Sequence, residues 1–384
     1  MTIKTSTQIK SSSKPPKRVY VAMSGGVDSS VAAALLKKEG YDVTGVFMKV
    51  WQPDFLPCTW EAERRDALRV AAHLRIPLLT WDFEREYKEY VADDMIREYR
   101  AGRTPNPDVL CNKEVKFGAF FKRAIEEGSD FVATGHYARV AYSKKGDSPY
   151  YQLLTGVDGA KDQSYFLWTL TQEQLSKTLF PVGEFQKSHV RALAKKFGLP
   201  VAEKKDSQGL CFVGKLDMKD FLAHFMIEKE GAVLDETGVA VGTHRGAHFY
   251  TLGERHGFLV TRKTTDDTPY YVIAKDLTAN TITVAHRIQN TSWCARTEVP
   301  LSHVSFCRGS APNSTRTYTA QVRYHGECYS CHIVRDGEDI TIRFSKPVIV
   351  DDGQSVVLYD GEECIGGGIA EKYSNCQRSL NMRQ

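Results

Sequence analysis

The stretch RVYVAMSGGVDSSVAAALLKKEG, Arg18 to Gly40, decides the fold. RVYVAM is a short apolar run with β-branched residues and reads as a buried strand. Gly25 and Gly26 break it, and SSVAAALLKKEG reads as a helix rich in Ala and Leu that stops at Gly40. A glycine loop between a strand and a helix lets backbone come close to a phosphate. The helix start adds free amides and a positive dipole end, and Ser29 and Ser30 add hydroxyls. Walker-type loops also carry a lysine for the β and γ phosphates, and this loop has none. Asp28 would repel a bare phosphate. It fits either as a helix cap or as a ligand of a Mg²⁺ that bridges phosphates. A plain strand-to-helix turn, capped by Asp and Ser, is the alternative for the whole loop.

The same alternation continues outward. YDVTGVFMKVW reads as a strand, EAERRDALRVAAHL as a helix and IPLLTWDF as a strand. VLCNKEVKFGAFFKRAIEEG has apolar residues at helical spacing, and DFVATGHY reads as the next strand. RVAYSKKGDSPYYQLLTG suggests a hairpin with a polar turn near Lys144 to Asp147, and SHVRALAKKFGLP a further helix. This predicts an α/β domain with a parallel sheet wrapped by helices. Past Phe225 the helical period fades. Short alternating runs such as YYVIAKD, TITVAH, YTAQVRYHG, DITIRFS, SVVLYDG and CIGGGIA suggest a small barrel. The expected units are a basic disordered tail over 1–16, a nucleotide-binding domain with a helical extension over 17–225, a central mostly-β domain over 226–290 and a β-barrel over 291–384.

The 384 residues carry a formal net charge of +4, which permits a nucleic-acid partner without requiring one. No apolar run reaches the ~18 residues that span a bilayer. MTIKTSTQIKSSSKPPKR lacks the apolar core of a secretory signal. With no such signal, the nine scattered cysteines read as buried hydrophobes or reactive thiols rather than structural disulfides. The expected location is the cytoplasm, with no membrane partner.

Two cysteines stand in suggestive contexts. In GRTPNPDVLCNKEVKF, Pro105 and Pro107 stiffen a loop ahead of a helix, and Asp108 stands where an N-cap belongs. Cys111 follows within the first turn, where free amides and the dipole favour a thiolate. Asp108 is close enough in sequence to move a proton. The other reading is equally open: Asp108 only caps, and Cys111 is a small buried hydrophobe. In KKDSQGLCFVGK, Lys204, Lys205 and Lys215 put positive charge near Cys211. There too, Leu210, Cys211 and Phe212 could simply form an apolar plug.

SGGVDSS resembles the loop of the PP-loop ATP pyrophosphatases, whose fold is adenine nucleotide alpha hydrolase-like. These enzymes cleave ATP between the α and β phosphates. GRTPNPDVLCNKEVKF, ATGHYAR, KDQSYFLW, KKDSQGLCF, TLGERHG and GGGI together resemble, in order, the tRNA-specific 2-thiouridylase family, over about Arg18 to Glu371. That resemblance implies a sulfurtransferase that adenylates the C2 oxygen of the tRNA wobble uridine. Cys211 would carry a persulfide received from an upstream sulfur carrier or cysteine desulfurase. Cys111 would resolve it through a transient Cys111–Cys211 disulfide, and Asp108 would handle the proton. By the same match Ala22, Met23, Ser24, Gly25, Gly26, Val27, Asp28, Ser29, Met48 and Gly135 would hold ATP, used with Mg²⁺. Asn106, Pro107 and Asp108 would meet the flipped-out base. His136, Lys161, Asp162, Gln163, Arg323, Tyr324 and Gln354 would touch tRNA, with Arg323 and Tyr324 also compatible with a strand's exposed face. The sequence departs from the family pattern at Glu254, His256 and Phe258, where Gln, Lys and Leu are expected, and at Ser330, where Pro is usual before Cys331.

CYSCH, Cys328 to His332, matches a haem-attachment pattern, but its residues alternate as in a strand, with Cys328 and Ser330 on one face. Two rival functions remain. One is a PP-loop enzyme that forms an amide on a small molecule, which a fully active Cys211→Ser variant would favour. The other is a non-catalytic RNA-binding module, which tRNA-dependent conversion of ATP to AMP would exclude.

Overall fold

The computed structural model describes residues 15–144, 149–206, 217–261, 268–286 and 295–372. The first part of the chain holds β1 (Arg18–Ala22), β2 (Asp42–Lys49), β3 (Leu78–Asp82) and β4 (Phe131–Ala133). A hairpin of β5 (Ala138–Ser143) and β6 (Tyr150–Thr155) and the short β7 (Thr178–Leu179) follow. Helix α1 (Val27–Lys38) joins β1 to β2, α2 (Trp60–Leu74) joins β2 to β3, and α3 (Lys187–Lys196) follows β7. The strands order as β3-β2-β1-β4-β7, and every pairing is parallel. Val19 and Val21 on β1 are fully buried, as expected for a central parallel strand covered on both faces. Val31 and Leu36 of α1 pack with Val190 and Ala194 of α3 in one cluster. The connections run from β1 to β2 on one side and on to β4 on the other. The carboxyl end of β1 is therefore the switch point where such sheets bind ligands.

The central part holds β8 (Gly231–Leu234), β9 (Ala240–His244), β10 (Phe258–Val260), β11 (Tyr271–Asp276) and β12 (Thr281–Ala285), in the order β10-β9-β8-β12-β11. The last part holds β13 (Ala295–Phe306), β14 (Tyr318–Gln321), β15 (Cys328–Asp336), β16 (Asp339–Ile349), β17 (Ser355–Asp360) and β18 (Glu363–Ala370). These six strands close through the β13–β18 pairing into a barrel. The β5–β6 hairpin extends the barrel sheet: Glu363 and Cys364 of β18 pair with Leu154 and Leu153 of β6. Closure by β13 is not evident from the sequence, because Pro300 and two register shifts break its alternation.

Two local expectations are corrected. The segment beginning at Val109 is not one regular helix. Pro107–Leu110 is one short turn, Cys111–Phe120 has wide i→i+5 turns, and only Phe121–Glu126 is regular again. Gly118 sits inside the wide stretch, where a Cβ would stand 2.8 Å from the Lys113 carbonyl oxygen. Wide turns of this kind are rare and gather at functional sites. Second, β14 ends at Gln321, so Arg323 and Tyr324 lie in a loop and not on a strand face.

Candidate active site

The glycine loop sits at the carboxyl end of β1 and opens α1. Gly26 is the N-cap, with no side-chain cap bond, so the capping role considered for Asp28 is not what the structure shows. Asp28 instead accepts hydrogen bonds from the Tyr137 hydroxyl at 2.8 Å and from Lys187 Nζ at 2.8 Å to each carboxylate oxygen. Ser30 Oγ donates to the Gly26 carbonyl at 2.6 Å and secures the first turn. The amides of Val27, Asp28 and Ser29 have no carbonyl one turn before them within the helix. Gly25 has φ +72°, and a Cβ there would stand 2.3 Å from the Glu63 carbonyl oxygen. Gly135, after β4, lies against the same first turn: a Cβ would fall 2.6 Å from the Ser29 nitrogen. A nucleotide phosphate fits this cradle of amides, hydroxyls and missing side chains. Gly135→Ala is therefore expected to push β4 off the loop, costing about 1–3 kcal/mol and weakening ATP binding. Thermal unfolding and ATP titration check this, and unchanged affinity would count against the contact.

Two lysines from distant segments reach the loop. Lys187 Nζ, on α3, also lies 2.8 Å from Asp206 Oδ1. Lys204 Nζ lies 3.1 Å from the Gly25 carbonyl oxygen and 2.8 Å from Asp66. Asp206 is further paired with Arg191 at 2.6 Å and Lys161 at 3.3 Å. Burial alone would raise the Asp206 pKa, but Lys187, Lys161 and Arg191 together hold it below the ordinary value. Burial, reinforced by Asp28, pushes the Tyr137 phenol well up, so it stays a donor. Among the described residues, no three His, Cys, Asp or Glu side chains form a metal site. A Mg²⁺ here would be of the kind held by one carboxylate plus phosphate oxygens and water.

The Asn106-Pro107-Asp108 segment opens the short turn that carries Cys111. Asn106, not Asp108, is the N-cap: its side-chain oxygen accepts from the Val109 amide at 3.2 Å, and Pro107 takes the first helical position. This leaves the Asp108 carboxyl available for other work. Burial raises its pKa, opposed by the nearby Lys116. Cys111 is buried and belongs to one packed cluster with Ala22 and Val46, onto which Met48 also packs. The thiol and the strand ends that carry the nucleotide loop thus share a core. Cys211 lies outside the described residues.

His136, expected to touch tRNA, is buried. Its Nδ1 lies 2.7 Å from Thr134 Oγ1 and its Nε2 3.5 Å from Lys116 Nζ. Burial, helped by Lys116, keeps its pKa well below the ordinary value, so the ring is neutral. Gln163 accepts from the Tyr137 amide at 3.0 Å, and Asp162 accepts from Gly156 and Ser164, so both shape their loop. Asp162 nevertheless lines a cavity of about 260 Å³ with Gln321, Tyr324 and His325. Tyr324 packs on Phe166 at 4.3 Å and on His325 at 4.0 Å between ring centroids. Phe166, the last residue of a short 3₁₀ turn, and His325 flank Tyr324, and neither was expected there from the sequence.

Arg323 donates to the Leu252 carbonyl and so ties the barrel to the central sheet. Gln354 folds back onto the Asp351 amide at 2.8 Å. Asp351 is the junction of all three parts of the chain. Its Oδ2 accepts from Thr104 Oγ1 at 2.8 Å, from the Leu252 amide at 3.1 Å and from Lys275 Nζ at 2.7 Å. Thr104 stands two residues before Asn106, so this junction anchors the loop that leads to Cys111. In the departing TLGERHGF loop, Glu254 pairs with Lys219 at 2.6 Å. The CYSCH segment is β15, with Cys328 exposed and Cys331 buried on opposite faces, and burial pushes the Cys331 thiol up to about 12.

A parallel sheet with a lysine-free glycine loop at its switch point, followed by two β modules, defines a PP-loop nucleotide-binding protein. Three family profiles match in succession: "tRNA methyl transferase HUP domain" over 17–215, "tRNA methyl transferase PRC-barrel domain" over 219–286 and "Aminomethyltransferase beta-barrel domain" over 296–370. The chain is 43% identical over 369 residues to the tRNA-specific 2-thiouridylase MnmA of Lactococcus lactis subsp. lactis (strain IL1403), covering 94% of this chain and 97% of that one. It is also 43% identical to MnmA of Enterococcus faecalis (strain ATCC 700802 / V583), with the same coverage. MnmA of Streptococcus sanguinis (strain SK36) is 42% identical over 365 residues, 94% of this chain and 97% of that one. The chain belongs to the tRNA-specific 2-thiouridylase family. Among the described residues no helix is long and apolar enough to cross a membrane.

Proposed function

We propose that this protein is an ATP-dependent tRNA-uridine 2-sulfurtransferase that acts on the wobble uridine in the cytoplasm. One observation carries the reading furthest: Cys111 belongs to the same packed cluster as Ala22, the last residue of the strand that leads into the nucleotide loop. An amide-forming enzyme would have no use for a thiol there. ATP, when bound with Mg²⁺, supplies the adenylyl group that makes the uridine C2 oxygen a leaving group. The loop from Ala22 to Ser29, with Met48 and Gly135, holds the nucleotide. Asn106, Pro107 and Asp108 receive the extruded base, and burial raises the pKa of Asp108 in the direction that suits a group passing a proton. Cys211, loaded by an upstream sulfur carrier or desulfurase, attacks C2 through its outer sulfur as AMP leaves. Cys111 then attacks the inner sulfur, closing a Cys111–Cys211 disulfide and freeing the thiouridine. Two electrons from a thiol reductant reset the pair.

Lys161, Asp162, Gln163, Arg323, Tyr324 and Gln354 fit a tRNA-facing rim, with Tyr324 as a stacking surface. His136 fits better as a support for Lys116 than as a contact. The proposed units 17–225, 226–290 and 291–384 run close to the three matched profiles, the second of which begins at 219. Purified protein given tRNA, ATP, Mg²⁺ and a persulfide donor is expected to add one sulfur at the wobble uridine, read by mass spectrometry of digested tRNA, with AMP formed in step. AMP formation without sulfur in the tRNA would sink the proposal.

A further inference from the structure

The loop has no lysine, yet a lysine ammonium lies within its first turn. Lys187 is nearly buried, at 12% side-chain exposure, and bridges Asp28 and Asp206. The two carboxylates differ in what else they have. Asp206 keeps Arg191 and Lys161 if Lys187 leaves. Asp28 keeps only the neutral Tyr137 hydroxyl among the partners described here. A divalent cation at Asp28 would therefore release Lys187 without leaving either carboxylate uncompensated. The released ammonium would stay beside the cradle amides, where polyphosphate charge accumulates.

We propose that Lys187 is the polyphosphate-binding lysine of this site, stored on Asp28 and exchanged for Mg²⁺ when the nucleotide arrives. The proposal rests on the ATP reading above. It explains why an aspartate is tolerated in a phosphate cradle: in the absence of nucleotide its charge is cancelled by the same lysine that later meets the phosphates. It also predicts opposite effects of the two partners. Removing Asp28 frees Lys187 for a nucleotide that carries no metal, whereas removing Lys187 exposes the nucleotide to an uncompensated carboxylate.

The test is calorimetric titration of the full chain with α,β-methylene-ATP, in Mg²⁺ and in EDTA, without tRNA. Lys187→Ala and Lys187→Gln are expected to weaken binding in Mg²⁺ by ~10–100-fold, the range for a charge-assisted hydrogen bond. In EDTA, Asp28→Asn is expected to bind more tightly than the unaltered chain, and the Asp28→Asn, Lys187→Ala double variant to lose that gain. Unfolding midpoints without nucleotide separate a binding defect from a folding one, and Lys187→Gln keeps a polar head of similar reach without the charge. If both Lys187 variants bind within ~twofold of the unaltered chain, inside the usual error of additivity, the proposal is overturned and the ATP reading survives. If the unaltered chain binds no analogue, both fail together.

Discussion

Cys111→Ala is expected to stop persulfide-dependent thiolation, with a loss on the order of 10³-fold or more, as for removal of a nucleophile from a set of groups that act as one. The thiol is buried at the join between a short turn and a wide-turned helix, so the change removes one sulfur and adds nothing. Its cost in stability should be about 1 kcal/mol, near the centre of the range for single substitutions. ATP binding should be unchanged, because Cys111 packs in the core behind the loop and supplies none of the cradle amides or hydroxyls. The expected pattern is thus full nucleotide affinity, a small shift in unfolding and no sulfur in the tRNA. A Cys111→Ala enzyme that turns over repeatedly on a persulfide donor would remove the resolving thiol from the mechanism. Free sulfide bypasses Cys211 and does not decide the question.

Asp351→Ala is expected to be the most destabilising single change outside the sheet cores. Asp351 and Lys275 are 3% and 10% exposed at their side chains. Deleting one partner of a buried pair costs about 3–5 kcal/mol, because the remaining charge stays buried without its counter-ion. Here the loss also strips acceptors from the Leu252 amide and Thr104 Oγ1. Among the described residues, Lys275 would keep only the Tyr250 carbonyl at 3.0 Å. The urea midpoint and protease resistance should fall together, and tRNA thiolation should fall further than ATP binding, because Thr104 leads into the Asn106 turn. The Lys275→Met, Asp351→Asn double variant should recover most of the stability, since it removes the stranded ammonium and keeps an acceptor for Thr104. An unchanged midpoint for Asp351→Ala would show that the junction does not hold the three parts together.

Arg18 to Gly40 was legible because its strand, turn and helix are each set by neighbouring residues. β-Branched residues make the strand, Gly25 takes a positive φ, and the Ala-Leu run makes the helix. The alternation of strands and helices then implied the parallel sheet, and the short runs after Phe225 implied the barrel. Cys111 was legible as a candidate from its neighbours, which left open whether it is buried. The cap was misassigned to Asp108 because Asn, Pro and Asp in a row all suit a helix start. Only the chain's path shows that Asn106 bonds back to Val109. His136 shows the same limit, because a histidine after a strand reads alike whether it ends in solvent or against Phe117 and Phe180.

The amino-acid sequence by itself determined the glycine cradle, the order of the elements and the residue types that can carry sulfur, because these depend on backbone preference and side-chain chemistry over a few neighbouring positions. Tertiary structure alone decided which charges meet. Lys187 reaches Asp28, Lys204 reaches Gly25, and Thr104, Lys275 and Leu252 converge on Asp351. The physical reason is that electrostatic and hydrogen-bond partners act at a few ångströms through space, whatever length of chain lies between them.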